Sequence, residues 1–140
     1  MRVLFLDFDG VLTKVAAEGE RVVLFEWLPL LAALLVPWPD VRIVVHSTWR
    51  YDHTDEELRK LLGPLAARFI GAVPRGPRAE AIRWFLYSNA AITDYLVVDD
   101  SCAEFPEDFS GPLVVCDPLF GISDARVRAA IAAWLAGGTR

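Results

Sequence analysis

Apolar residues come in short unbroken runs along this chain, with little alternation. RVLFLD (2–7), VRIVVH (41–46), YLVVDD (95–100) and PLVVC (112–116) are rich in Val, Leu and Ile. Such runs are expected of strands buried on both faces of a parallel sheet. RFIGAV (68–73) is a weaker fifth candidate. Between the runs the spacing becomes helical. One helix is expected over about 27–36, with Pro29 in its first turn. A second starts at Thr54, where TDEE reads as a capping box from Thr54 to Glu57, and Gly63 is its stop. A third covers about 77–88. A fourth begins at Ser123 and ends near Gly137, with Val127, Ile131, Trp134 and Leu135 on one face. This alternation predicts an open, mostly parallel α/β sheet. Residues 11–26 break the rhythm: Gly19 separates two short apolar stretches, which predicts a small hairpin. Its place just behind an acidic pair makes it a candidate flap, with an ordinary surface connection as the alternative.

The length, 140 residues, fits one domain spanning 1–140, large enough to fold without staples. Hydrophobic residues make up 54% and charged residues 24%, which excludes a disordered chain. The N-terminus runs straight into RVLFLDF without signal-peptide architecture, and no apolar run approaches ~18 residues. WLPLLAALLV is short and holds a proline, so it reads as a buried helix rather than a membrane span. Cys102 and Cys116 have no metal-ligand spacing, which fits a reducing, cytoplasmic setting without disulfides. The net charge of −5 argues against a large non-specific nucleic-acid surface. That argument weakens if Asp7, Asp9, Asp99 and Asp100 share one cation site, because four of the negative charges are then local.

The polar residues collect where the strands end. The first run ends at Asp7, with Asp9 two residues on; the second leads into Ser47 and Thr48; YLVV runs into Asp99 and Asp100, and LVVC into Asp117. Ligands bind outside the carboxyl ends of strands in open α/β sheets. Two carboxylates beside a buried strand raise each other's pKa, and leaving them there uncompensated costs several kcal/mol. A hard cation resolves this, and an all-oxygen set suits Mg²⁺, which is usually completed by substrate phosphate. Ser47 or Thr48 supplies a hydroxyl for such a phosphate. Arg75 or Arg78, in PRGPRAEAIRWF, supplies a cation.

These elements, in this order, resemble the haloacid dehalogenase (HAD) superfamily: DFDGVL after a hydrophobic strand, a strand ending in Ser-Thr, a basic residue at a helix start, and a strand ending in Asp-Asp. The resemblance covers about residues 2–117. HSTWR and VVDD look closer to one branch, the small HAD domains associated with nucleic-acid repair proteins. The resemblance implies a Rossmann-like three-layer sandwich and a Mg²⁺-dependent phosphohydrolase. It implies that Asp7 is the nucleophile, forming an aspartyl-phosphate, and that Asp9 is the general acid and base. It further implies a metal site made by Asp7, Asp9 through its carbonyl, and Asp100, with Asp99 orienting a metal water or the basic residue. Ser47 matches the phosphate-binding hydroxyl, Thr48 is a near alternative, and Arg78 is the choice for the basic residue, with Arg75 open. Many relatives carry Lys there, so the arginine departs from the pattern; a guanidinium binds phosphate well as a bidentate fork. Glu104 is a weak candidate for a further acid.

Relatives usually insert a cap domain between the first and second motifs or the second and third. Here those gaps hold only about 35 and about 30 residues, much of them helical, so no sizeable cap is expected. An open site admits a phosphate on a macromolecule, such as a nucleic-acid end or a phosphoprotein; oligomerisation can instead supply a lid and restore small substrates. The alternative from another class is a non-catalytic HAD scaffold that binds metal or a partner. Retention of both Asp7 and Asp9 weighs against it. Trp49 and His46 read as core residues, Trp49 and Arg50 as secondary candidates for substrate contact, and Asp117 as a turn residue.

Overall fold

The computed structural model describes residues 1–137; the last three residues of the expected 1–140 domain lie outside the described residues. Among these, five strands form one sheet: β1 (Arg2–Leu6), β2 (Arg42–Val45), β3 (Phe69–Ala72), β4 (Asp94–Asp99) and β5 (Leu113–Val115). Their order is β3-β2-β1-β4-β5, and every neighbouring pair is parallel. The weak candidate at 68–73 is the edge strand β3. Helices α1 (Leu28–Leu35), α2 (Asp55–Leu61), α3 (Arg78–Ser88) and α4 (Ala125–Gly137) cover the sheet.

Strand side chains alternate between faces, so each buried run divides in two. Leu4, Leu6, Ile43, Val45, Leu96 and Val98 face a layer built from Leu31 and Leu35 of α1, Leu58 of α2, and Ile131 and Leu135 of α4. Val3, Phe5, Val44 and Val97 face the other side, where α3 brings Ala79, Ala81 and Ile82. The result is a three-layer α/β sandwich of Rossmann-like type. Each fully buried Leu, Ile or Val contributes about 1.5–3 kcal/mol. The core therefore holds the fold and leaves the strand ends free to carry charge.

Local signals set the helix ends. The Thr54 hydroxyl accepts from Glu57 N–H while the Glu57 carboxylate accepts from Thr54 N–H, the reciprocal box expected from TDEE. α2 stops before Gly63, at φ +50°, and a 3₁₀ segment continues over Gly63–Arg68. Arg2 donates to the carbonyls of Trp134 and Leu135, and Arg68 to those of Leu35, Trp38 and Val41. Two arginines thus serve orphan carbonyls at the ends of α4 and α1.

The hairpin expected over 11–26 does not form; no strand lies between Lys14 and Trp27. Thr13 makes a single bridge to Asp9, and the Phe25 N–H donates to Thr13 Oγ1 at 2.8 Å. The apolar residues Val11, Leu12 and Trp27 enter the core instead of pairing with one another. The stretch 16–21 between them is exposed, and an isolated two-stranded ribbon gains too little to form. The chain between Gly10 and Ser47 otherwise holds only α1 and β2. Between Thr48 and Arg78 it holds short 3₁₀ segments, α2 and β3. No cap domain is inserted at either place. No helix among the described residues is long and apolar enough to cross a membrane.

Candidate active site

The sheet register builds the site. Leu6 pairs with Val45 of β2 on one side and Val98 of β4 on the other. One step further, Asp7, His46 and Asp99 therefore stand level on three adjacent strand ends. The Asp7 N–H donates to Val98 O at 3.2 Å, and the His46 N–H to Leu6 O at 3.1 Å. β1 is central, and the chain passes to β2 on one side before crossing to β4 on the other. This is the topological switch point at which ligands bind in such sheets. Alternation puts Asp7 and Asp99 on the face of Val3, Phe5 and Val97, which is the α3 face. Arg78 is the first residue of α3 and meets them there.

Asp7 is 1% exposed and Asp99 fully buried. The Asp7 carboxylate accepts from Phe8 N–H at 2.8 Å and from Arg78 Nη1 at 3.2 Å. The same Nη1 donates to both oxygens of Asp99, at 2.9 and 2.8 Å. A cation at the positive end of a helix is unfavourable, and these two carboxylates supply the compensation. Burial works against the charge on Arg78, but Asp7 and Asp99 outweigh it and hold the guanidinium above its ordinary value.

Carboxylate oxygens of Asp7, Asp99 and Asp100 lie within 4.8 Å of one another. Asp7 is pushed up to about 8, first by burial and then by the charge on Asp99, with Arg78 opposing. Asp100, half-buried, is also raised, mainly by burial, and is close enough to share a proton with Asp7. Asp99 goes the other way: burial would raise it, but hydrogen bonding from His46 and the charge of Arg78 hold it below the usual range. Three hard oxygen donors, one kept neutral by burial and its neighbours' charge, fit a divalent cation of the Mg²⁺ type. Asp7, Asp99 and Asp100 offer the side-chain oxygens that could hold it.

His46 sits behind this cluster with Nε2 2.8 Å from Asp99 Oδ2. Burial depresses its pKa, so the ring is neutral and Nε2 carries the proton donated to Asp99. Its Nδ1 finds no partner among the described residues. The sequence reading of a satisfied core histidine is therefore half right: the ring orients Asp99.

Asp9 is exposed and lies on a turn in which Gly10 has φ +78°. A Cβ at Gly10 would overlap the Asp100 carboxylate, so both conformation and space require glycine. Trp49 Nε1 donates to Asp9 Oδ2 at 3.0 Å. Trp49 packs half-buried against the core, as expected; its indole N–H also reaches Asp9, a contact that HSTWR does not signal. Ser47 is buried, and its hydroxyl accepts from Trp49 N–H as the cap of a 3₁₀ turn over Thr48–Tyr51. Its own O–H remains available as a donor. Thr48 is exposed on the same turn.

Arg50 directs its hydrogen bonds mainly to the backbone rather than to the acids, although the charge of Asp7 reaches it. It binds the carbonyls of His46, Ser47, Pro74 and Gly76, lashing the Ser47 turn to the loop that precedes α3. Arg75 donates to Tyr51 O and lies over the Tyr51 ring, away from the cluster, so of the two candidate arginines only Arg78 touches Asp7 and Asp99. Glu104 is exposed and contributes charge toward Arg78. The Asp117 carboxylate accepts from Leu119 N–H, as a turn residue does. Burial pushes the Cys116 thiol up to about 12, leaving it inert, and Cys102 is exposed.

The arrangement joins a buried acid, a fixed guanidinium, a candidate cation site and a solvent-facing second carboxylate at one sheet edge. In comparisons with known proteins, a family model described as HAD domain in Swiss Army Knife RNA repair proteins matches residues 3–127. No curated protein and no solved structure matched the chain. The matched span runs from β1 into α4 and takes in Asp7, Arg78, Asp99 and Asp100, and with most of its length covered the chain belongs to this family of HAD domains.

Proposed function

We propose that this HAD domain is a Mg²⁺-dependent phosphohydrolase that cleaves a phosphomonoester through an aspartyl-phosphate on Asp7. The observation that carries the reading is Asp7 itself. It is buried at the switch point, held by Arg78, and has Asp9 two residues on at the solvent face. An Asp7 oxygen attacks phosphorus, and the bond to the leaving oxygen breaks as Asp9 delivers a proton to it. Asp9 then takes a proton from water, which attacks the phosphoryl group, releases inorganic phosphate and regenerates Asp7. Arg78 binds the phosphoryl oxygens while it balances Asp7 and Asp99. The Ser47 hydroxyl, and Thr48 beside it, supply further donors. Asp7, Asp99 and Asp100, with the Asp9 carbonyl, would hold a divalent cation, which would neutralise the phosphate and favour the ionised form of Asp7.

The absence of an inserted cap supports an open site and a phosphate presented on a macromolecule. The family's setting in RNA repair proteins favours a nucleic-acid end over a phosphoprotein. The test is phosphate release, with and without Mg²⁺, from p-nitrophenyl phosphate, nucleotides, sugar phosphates, 3′- and 5′-phosphorylated oligonucleotides and phosphopeptides. Mg²⁺-dependent release that disappears in Asp7→Asn is expected, with the oligonucleotides preferred. Substantial residual release in Asp7→Asn overturns the nucleophile assignment. Silence across the panel, with Mg²⁺ still bound, leaves a binding module in its place.

A further inference from the structure

We infer that Trp49 is the residue that positions Asp9 for proton transfer, by holding one carboxylate oxygen and leaving the other to carry the proton. The inference rests on the phosphohydrolase reading. An indole N–H donates and never accepts. Its partner, Asp9 Oδ2 at 3.0 Å, is therefore the accepting oxygen, which leaves Oδ1 as the oxygen turned to proton transfer. Without such a restraint an exposed carboxylate on a glycine turn samples several rotamers. General acid catalysis needs the proton within hydrogen-bond reach of the leaving oxygen.

The indole is itself fixed on several sides. Its ring meets Phe8 edge-on at 5.8 Å and Phe25 at 5.5 Å, and stacks on His53 at 5.2 Å with the planes 22° apart. His53 Nδ1 is in turn 2.9 Å from Trp49 O. Phe25 holds its place at φ +56°, a costly conformation for a non-glycine residue. Packing alone does not demand an N–H here, since phenylalanine would keep an aromatic ring in the same cluster. What tryptophan adds is a donor aimed at Asp9. In the forward step the proton leaves Oδ1 for the leaving oxygen, and the carboxylate that remains keeps its bond from Nε1. In the hydrolytic step Oδ1 takes a proton from water.

The experiment compares Trp49→Phe with the unaltered protein on aryl phosphates of rising leaving-group basicity, from p-nitrophenyl to phenyl phosphate. The quantity read is kcat/KM, which reports the steps up to loss of the leaving group. A weakly basic leaving group needs little protonation; phenolate needs much more. The expected result is a kcat/KM for phenyl phosphate that falls about tenfold further than that for p-nitrophenyl phosphate. Asp9→Asn should show the same trend more steeply, and Trp49→Phe should add little in that background. Equal losses on both substrates overturn the positioning role and leave the phosphohydrolase reading intact. No turnover by the unaltered protein of the aryl phosphates or of any other phosphomonoester in the panel overturns both. If Trp49→Phe does not fold, the indole N–H resonances decide: one must move in Asp9→Asn, and none moving overturns the inference.

Discussion

Replacing Asp7 by Asn should stabilise the protein once divalent cations are removed, and the gain should grow with pH. Asp7 is 1% exposed and its carboxyl is raised from 3.8 to about 8 by burial and by Asp99. Below about pH 4 it is neutral in both folded and unfolded chains. Above that the unfolded chain releases the proton while the folded one retains it, so stability falls as pH rises, until the folded group ionises near 8. The loss is about 1.4 kcal/mol per pH unit, so about 2–3 kcal/mol accrues between about pH 6 and about pH 9. Asn keeps the volume and cannot ionise, so its advantage over the unaltered chain should widen by about that amount. Sharing of the proton with Asp100 moves part of the effect onto that residue and sets the lower end of the range. The assay is urea unfolding in EDTA at the two pH values, repeated with Mg²⁺. Mg²⁺ should restore the unaltered chain far more than the variant. A stability gap that stays constant or narrows with rising pH would refute the argument.

Three further outcomes follow from other parts of the structure. Arg78→Gln leaves Asp7 and Asp99 without their shared cation, and should cost about 3–5 kcal/mol in unfolding measurements and most of the phosphate release. Gly10→Ala forces a side chain to φ +78° against the Asp100 carboxylate; a loss of about 1–3 kcal/mol is expected, together with weaker Mg²⁺ binding by calorimetry. Thr54→Ala opens the capping box of α2, far along the chain from the acids. It should lower stability by about 1 kcal/mol while phosphate release stays unchanged.

Much of this was legible in the sequence because strand burial and strand termination leave separate marks. The runs at 2–7, 41–46, 95–100 and 112–116 carry too little polarity for a solvent-facing sheet; each becomes a strand, the first three between two helical layers and the last, β5, a half-exposed edge rather than a strand buried on both faces. The acids were legible because a parallel α/β fold places strand ends on one edge. Parity was also available in principle: counting in twos from Val3 to Asp7 and from Val44 to His46 puts both on the α3 face. The hairpin at 11–26 failed because apolar residues flanking a glycine can pair or enter the core, and local pattern does not separate the two. The core packing of Trp49 was legible, but its bond to Asp9 was not. Aromatic residues signal burial, and nothing local records that an indole N–H reaches an acid 40 positions earlier.

The electrostatics of the three carboxylates divide their tasks. Asp99 is held ionised from behind by His46 and Ser101 N–H, and from the front by Arg78. It is a fixed anion, and it anchors the guanidinium. Asp7 receives one backbone N–H and one end of that same guanidinium, which does not offset its burial beside Asp99. The proposed nucleophile is thus kept from ionising near neutrality first by its burial and then by Asp99, which also anchors the guanidinium. A carboxylate nucleophile in this pocket requires more positive charge than Arg78 supplies. On the proposed reading, dependence on a divalent cation would follow from where β1 and β4 end, and moving Asp99 out of register with Asp7 would relax it. Asp99→Asn is the direct check: it should lower the pH at which Asp7 ionises in EDTA, whatever it does to turnover.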